Sequence, residues 1–236
     1  MQIKLYKKPK NPIIIEGFPG FGLVGTIASE FLIDHLQTEV IGKITFEEMP
    51  AMVAIHEGKV VEPLGIFYSK KYNMVILHAI ISSAGFEWKL AEQLLEVAKM
   101  LNAKEVISLE GVGGGPENSS AVFYHTKDEK KAKKFEEFGV KRLKEGIIMG
   151  VTGALLLKAE GIIPASCIFA ETHADIPDSK AAAKIIEVLD KMFGMDVKTE
   201  PLIKQAEKFE EKLTGMLQKT QEAADAAEKK KLSYVG

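Results

Sequence analysis

The first residues whose types and spacing could do chemistry are three glycines near the start of the chain. Gly20, Gly22 and Gly25 follow the β-branched run at residues 13–15 and precede an apolar helical pattern. Strand, G-x-G-x-x-G and helix form the dinucleotide fingerprint, in which glycine backbone approaches a pyrophosphate at a helix N-terminus. The acidic pair Glu47 and Glu48 follows about 20 residues later, as that fingerprint requires. The pattern indicates a ligand loop at 17–25.

The same loop also has a purely structural interpretation. Phe18 and Phe21 place bulky apolar groups where a phosphate loop is usually small and polar. Glycine also permits a tight turn and close packing of a helix on a strand. A ligand loop and a structural turn both remain open at this stage.

A second glycine cluster, at residues 111–115, follows the apolar run 105–109. Glu110 precedes it and polar residues at 118–120 follow it. Ligands of open α/β sheets bind at the carboxyl ends of strands, so this cluster is a second candidate ligand loop. It lacks the Lys and Ser/Thr of a phosphate-binding P-loop, and a tight turn is the alternative.

The remaining reactive side chains form no recognisable set. The five histidines show no metal-ligand spacing, and no serine lies in a G-x-S-x-G sequence. His173, between Glu171 and Asp175, could be an acid or base or a structural loop residue. Trp88, the only tryptophan, could line a pocket, contact another subunit or pack on the core. We therefore expect no catalytic residues and no metal.

The elements that must position these residues form an α/β pattern. Short connections between the middle strands predict antiparallel pairing there, and hence a mixed sheet. Strands are predicted at 13–15, 39–46, 52–55, 65–68, 74–81, 105–109, 121–126 and 166–170. Helices are predicted at 23–36, 86–101, 127–138 (lysine-rich and exposed), from 150 through 157, and at 179–193.

The composition changes at residues 199–201. From there Leu202, Phe209, Leu213 and Met216 fall on a 3.5-residue repeat, which predicts a coiled-coil helix that joins subunits. A helix folded back on the core is the alternative. We therefore divide the chain into a globular domain at 1–197, an amphipathic helix at 198–231 and a mobile tail at 232–236.

Composition excludes several classes of protein. The net charge is −2, and only one of the 31 basic residues, Arg142, is an arginine. Bidentate clamps on phosphate or guanine are therefore scarce, and nucleic acid is not an expected partner. The chain has one cysteine, Cys167, no signal peptide and no long apolar run, which indicates a cytoplasmic protein without membrane contact.

Taken together, the segment 16–25, the segment 109–111 and the segment 150–157 resemble the proteasome assembly chaperone family, and in particular its archaeal homologues. The resemblance covers about residues 13–193. It implies a three-layer α/β/α domain with a mixed sheet, similar to nucleoside phosphorylases. It also implies a non-enzymatic protein that forms homo-oligomers and binds the α-ring of the 20S proteasome.

Several members of that family carry a C-terminal tail of a hydrophobic residue, a tyrosine and any residue, which enters pockets between α subunits. This chain ends in Leu232, Ser233, Tyr234, Val235 and Gly236, so its tyrosine is third from the end and Ser233 replaces the hydrophobic residue. We predict a proteasome chaperone or activator that needs no cofactor and binds partly through this tail. The alternative is a nucleotide- or nucleoside-handling enzyme that uses the loops at 17–25 and 111–115.

Overall fold

The computed structural model describes residues 2–46, 54–56, 59–80, 84–114, 121–172, 177–198 and 203–204. In these residues the chain forms eleven strands, five α-helices and one 3₁₀ turn. The strands are β1 Gln2–Leu5, β2 Ile13–Gly17, β3 Glu39–Thr45, β4 Ala54–His56, β5 Lys59–Val61, β6 Leu64–Ser69, β7 Met74–Ala79, β8 Glu105–Gly113, β9 Val122–Thr126, β10 Lys141–Arg142 and β11 Ala165–Thr172. The helices are α1 Val24–His35, α2 Glu87–Leu101, α3 Glu129–Glu137, α4 Gly150–Lys158 and α5 Ser179–Phe193.

One mixed sheet of nine strands organises the domain. Its order is β1-β3-β6-β7-β2-β8-β11-β9-β10, and β4 and β5 form a separate hairpin. The four central strands β7, β2, β8 and β11 are parallel. Strand β6 is antiparallel to both β3 and β7, which confirms the prediction drawn from the short connections.

Helices cover both faces of the sheet because side chains alternate between the faces along each strand. In β2, Ile15 packs with α1, α3 and α5, whereas Ile14 packs with α2 and α4. The same alternation in β8 directs Ile107 to the α1 face and Val106 to the α4 face. The predicted three-layer α/β/α architecture is therefore confirmed.

Two details differ from the sequence-based expectation. Helix α3 was expected to be exposed, but Ala132 and Phe135 are buried, and the Phe135 ring stacks on Tyr124 with centroids 4.9 Å apart. The buried face of α3 is a narrow apolar stripe, which is hard to recognise in a sequence so rich in lysine. Strands β1, β5 and β10 were not predicted because each is short. Strands β1 and β10 are also rich in polar residues at the edges of the nine-stranded sheet, and β5 pairs with β4 in the separate hairpin.

The described chain after α5 stays against the domain, since Met195 is buried and Val197 and Ile203 pack on the core. The end of α5 lies at the amino ends of the parallel strands. Helix α5 ends at Phe193, and the carbonyl of its C-cap residue Gly194 accepts a hydrogen bond from the hydroxyl of Tyr72, in the turn before β7, at 3.5 Å. His35 Nε2 lies 3.2 Å from the Met195 carbonyl, at the end of α1. The predicted interface residues Leu202, Phe209, Leu213 and Met216 and the tail residues 232–236 lie outside the described residues.

Candidate functional site

Two buried glutamates are joined by a chain of hydrogen bonds at the carboxyl ends of β2 and β8. Ser108 Oγ donates to Glu16 Oε2, and Ser108 Oγ lies 2.8 Å from Thr152 Oγ1. Thr152 Oγ1 lies 3.1 Å from Glu110 Oε2. We call Glu16, Ser108, Thr152 and Glu110 the carboxyl relay.

Strand register and alternation bring these four residues together. Glu16 pairs directly with Ser108 across β2 and β8, and Glu110 follows two residues later on the same face of β8. That face is covered by α4, whose first turn presents Thr152. The strand register and the position of α4 therefore place the four polar side chains of the relay in hydrogen-bonding contact.

Burial raises the pKa of both carboxyl groups. The pKa of Glu16, which is 1% exposed, rises to about 7 because of desolvation. The pKa of Glu110 rises to about 8 because of desolvation and then because of the charge of Glu16. The relay therefore holds a proton at neutral pH.

The first glycine loop donates its backbone N–H groups to these same carboxyl groups. Phe18 N donates to Glu16 Oε1 at 2.9 Å, and Phe21 N donates to Glu110 Oε1 at 3.0 Å. Gly111 N also donates to Glu110 Oε1, at 3.1 Å. Side-chain carboxyl oxygens thus accept the N–H groups that a bound phosphate would need in a dinucleotide loop.

Close packing accounts for the three glycines of the fingerprint. A Cβ on Gly20 would lie 2.0 Å from Glu110 Oε1, and a Cβ on Gly25 would lie 2.2 Å from the Leu109 carbonyl oxygen. Gly22 has φ of +63° and lies against Thr172. These contacts support the structural interpretation of the loop, and its role as a ligand loop stays a prediction.

A large cleft opens beside Glu110, with a volume of about 1460 Å³. Its base is formed by the carboxyl ends of β8 and β11, including Glu110, the glycines 111, 113 and 114, and Glu171. The opposite wall is the segment 143–149 between β10 and α4. Lys141, Arg142 and Lys144 lie on that exposed side.

A second polar cluster lies on the other face of the sheet. Ser29 Oγ is 2.8 Å from His78 Nδ1, and His78 Nε2 is 3.0 Å from Glu30 Oε2. Ser29 is fully buried and also contacts the Gly17 and Thr26 carbonyl oxygens. The types match a Ser-His-Glu triad, but a buried hydroxyl cannot meet a substrate, and the cluster joins α1 to β2 and β7.

The structure places the other candidates as follows. Gly111 to Gly114 line the cleft beside Glu110, whereas Gly115 lies outside the described residues. Cys167 is fully buried, and burial raises its thiol pKa well above the ordinary value. Trp88 is 54% exposed, so its alternative of packing in the core is wrong. His173 and Asp175 lie outside the described residues.

Glu16, Ser108 and Thr152 were not predicted as site residues from the sequence. A glutamate at the end of a run of isoleucines, on the strand face opposite Ile15, was the available signal. Within the described residues, no group of three or more His, Cys, Asp or Glu side chains could hold a metal ion. None of the helices in the described ranges has the length and apolar content that crossing a membrane requires.

A mixed sheet with helices on both faces and a cleft at the carboxyl ends of its parallel strands defines a three-layer α/β protein. Residues 14–217 match the model of the PAC2 family, and the chain belongs to that family. An uncharacterized protein of Methanocaldococcus jannaschii is 33% identical over 205 residues, which cover 86% of this chain and 84% of the relative.

Solved structures agree with this assignment. PbaA of Pyrococcus furiosus, described as an archaeal homolog of proteasome-assembly chaperone, is 36% identical and superposes with a TM-score of 0.83 over 94% of this chain and 100% of PbaA. PbaB of the same organism, described as an archaeal proteasome activator, is 21% identical, with a TM-score of 0.73 over 91% of this chain and 98% of PbaB. The likeness to PbaB shows the fold alone. The resemblance predicted from the glycine motifs is confirmed.

Proposed function

We propose that this protein is a non-enzymatic proteasome assembly chaperone or activator that binds the α-ring of the 20S proteasome in the cytoplasm. The observation that carries the proposal is the similarity to PbaA, at 36% identity over 94% of the chain. The buried positions of Ser29 and Cys167, the best nucleophiles by type, also favour a binding protein over a covalent catalyst.

The proposal includes a homo-oligomer joined through the C-terminal helix, with Leu202, Phe209, Leu213 and Met216 at its seam. It also includes a tail, Leu232 to Gly236, that reaches the α-ring. Several tails on one symmetric oligomer would bind together far more tightly than one tail, because the first contact raises the effective concentration of the rest.

The test is a pull-down with purified 20S particles and with isolated α-rings. Tagged full-length protein should retain both, whereas particles that lack α subunits should not be retained. An α-ring that stays in the flow-through at micromolar protein would contradict the proposal. A matched sample of PbaA from Pyrococcus furiosus gives the reference for binding by a relative.

A further inference from the structure

The carboxyl relay contains more hydrogen bonds than its hydroxyl groups can supply. Its four side chains make three successive contacts, from Glu16 to Ser108, from Ser108 to Thr152 and from Thr152 to Glu110. Each contact needs one proton, but the two hydroxyls provide only two. For all three contacts to be hydrogen bonds, a third proton is needed, and it belongs on a carboxyl group.

That proton is placed most simply on Glu110. With Glu110 ionised, Thr152 donates to Glu110 Oε2 and the 2.8 Å contact between Ser108 and Thr152 contains no proton. With Glu110 protonated, its carboxyl donates to Thr152, Thr152 donates to Ser108, and Ser108 donates to Glu16 Oε2. Glu110 Oε1 remains an acceptor for the N–H groups of Phe21 and Gly111. The raised pKa values of both carboxyls agree with this count.

Glu110 also lines the cleft, so its proton lies at the boundary between the relay and an open cavity. The cleft exceeds the volume of about 300–1000 Å³ that is common for small-molecule sites. Apolar surfaces of Phe21, Val112 and Phe123 surround the base, and basic side chains lie on the exposed wall. The carboxylates of Glu136 and Glu145 line the cleft too, and Arg142 pairs with Glu129, so Lys141 and Lys144 are the cations left to meet an anionic group. An acidic proton, flat apolar surfaces and these two lysines select different parts of one ligand.

We propose that the cleft binds a weakly basic nitrogen heterocycle that carries an anionic group. The ring nitrogen accepts a hydrogen bond from the protonated Glu110 carboxyl. The ring then lies against the Phe21 and Phe123 side chains, and the anionic group meets Lys141 and Lys144. Thr152 keeps its bond to Ser108 when Glu110 turns its proton to the ligand. This site is separate from the proposed tail contact and requires no reaction.

The proton on Glu110 makes ligand binding depend on pH. The direction of that dependence distinguishes a ligand that accepts a hydrogen bond from a cationic ligand. The groups that face Glu110 are Glu16 from β2, Cys167 and Glu171 from β11 and, across the cleft, Glu136, Glu145, Lys141, Arg142 and Lys144. Above the Glu110 pKa of about 8 the relay loses its proton, and the fraction able to donate falls about tenfold per pH unit. A cationic amine would show the reverse trend, since a second negative charge would attract it more strongly.

The probe is adenosine 5′-monophosphate, with adenosine and ribose 5-phosphate as comparison ligands, titrated by calorimetry into the full chain at pH 7 and pH 9. From pH 7 upward at least about 90% of the phosphate is in its doubly ionised form, because its second pKa is about 6, so its charge changes little between pH 7 and pH 9. We expect the nucleotide to bind about tenfold more weakly at pH 9. We expect adenosine to bind more weakly than the nucleotide, and ribose 5-phosphate not to bind.

Two variants complete the test. Glu110→Gln retains a donor toward Thr152 and an acceptor toward the backbone, so its affinity should be the same at pH 7 and pH 9. Lys141→Gln with Lys144→Gln should weaken nucleotide binding about tenfold and leave adenosine unchanged, and the matched pair Lys133→Gln with Lys134→Gln on α3 should change neither. No nucleotide binding at millimolar concentration, an affinity that is constant or rises with pH, or equally tight binding of ribose 5-phosphate would overturn the proposal.

Discussion

At the residue scale, the relay makes the stability of this protein depend on pH. Folding raises the pKa of Glu16 from 4.5 to about 7 and that of Glu110 from 4.5 to about 8. Between pH 4.5 and the folded-state pKa of each carboxyl, the folded state retains a proton that the unfolded state releases. The free energy of unfolding should therefore decrease as pH rises from about 5 to 8, by up to about 1.4 kcal/mol per pH unit for each carboxyl.

Replacing Glu110 by glutamine should remove much of this dependence. The amide keeps the bonds to Thr152, Phe21 and Gly111 without a group that must ionise. We expect Glu110→Gln to raise the free energy of unfolding by roughly 4 kcal/mol at pH 8 and by less than about 1 kcal/mol at pH 5, as measured by urea unfolding. Glu96→Gln on the exposed side of α2 is the control. An equal loss of stability at both pH values would contradict the shared proton.

Gly25 tests whether the fingerprint glycines serve packing. A Cβ at this position would lie 2.2 Å from a backbone oxygen of β8, which cannot move without disturbing the sheet. We expect Gly25→Ala to destabilise the protein by about 1–3 kcal/mol in the absence of any ligand. Gly146→Ala, whose Cβ would lie 3.5 Å from Leu143, is the matched control and should change the melting temperature little. Unchanged stability of Gly25→Ala would instead favour a loop kept small for a ligand.

At the element scale, periodicity predicted the central elements well because each buries a regular apolar face. The helix predicted at 179–193 is α5, Ser179–Phe193, and Asp178 caps it by accepting from Ala181 N at 2.9 Å. The relay could not be predicted in the same way. Glu16 and Thr152 are far apart in sequence, and only the β2–β8 register and the contact of α4 with that face bring them together.

Subunit association can be assigned to one element by paired substitutions. Leu213→Lys with Met216→Lys places charge in the predicted apolar seam of the C-terminal helix, and burying an unpaired charge is strongly unfavourable. We expect a lower mass by sedimentation velocity, while Lys212→Gln with Lys219→Gln leaves the mass unchanged.

An unchanged mass for the Leu213→Lys, Met216→Lys variant would indicate that the globular domain forms the subunit interface. The described surface offers an apolar area for it, where Trp88, Ile147, Met149 and Leu157 are 54–87% exposed near the start of α2 and around α4. Exposed aromatic and methionine side chains of this kind are enriched in interfaces. Met149→Lys with Leu157→Lys would then lower the mass.

At the scale of the whole molecule, the cleft and the C-terminal segment start from opposite ends of the sheet. The cleft lies at the carboxyl ends of β8 and β11, whereas the chain leaves α5 beside Tyr72 and His35 at the amino ends. Variants of Glu110 should therefore leave 20S binding unchanged. The two proposals can fail independently, because one is read out by nucleotide titration and the other by proteasome binding.

The C-terminal tail, residues 232–236, is expected to carry most of the binding to the 20S proteasome. Lys229, Lys230 and Lys231 interrupt the apolar repeat, so Leu232 to Gly236 should extend beyond the helix. Tyr234 offers the largest apolar surface there, and its ring loses little conformational entropy on burial. We expect deletion of residues 232–236 to preserve the fold and the oligomer but to remove most 20S binding measured by surface plasmon resonance, and Tyr234→Ala to do nearly as much. Tyr6→Ala, at an exposed tyrosine of the globular domain, is the matched control. Equal binding by the intact and the truncated protein would contradict the tail model and assign the contact to the globular domain.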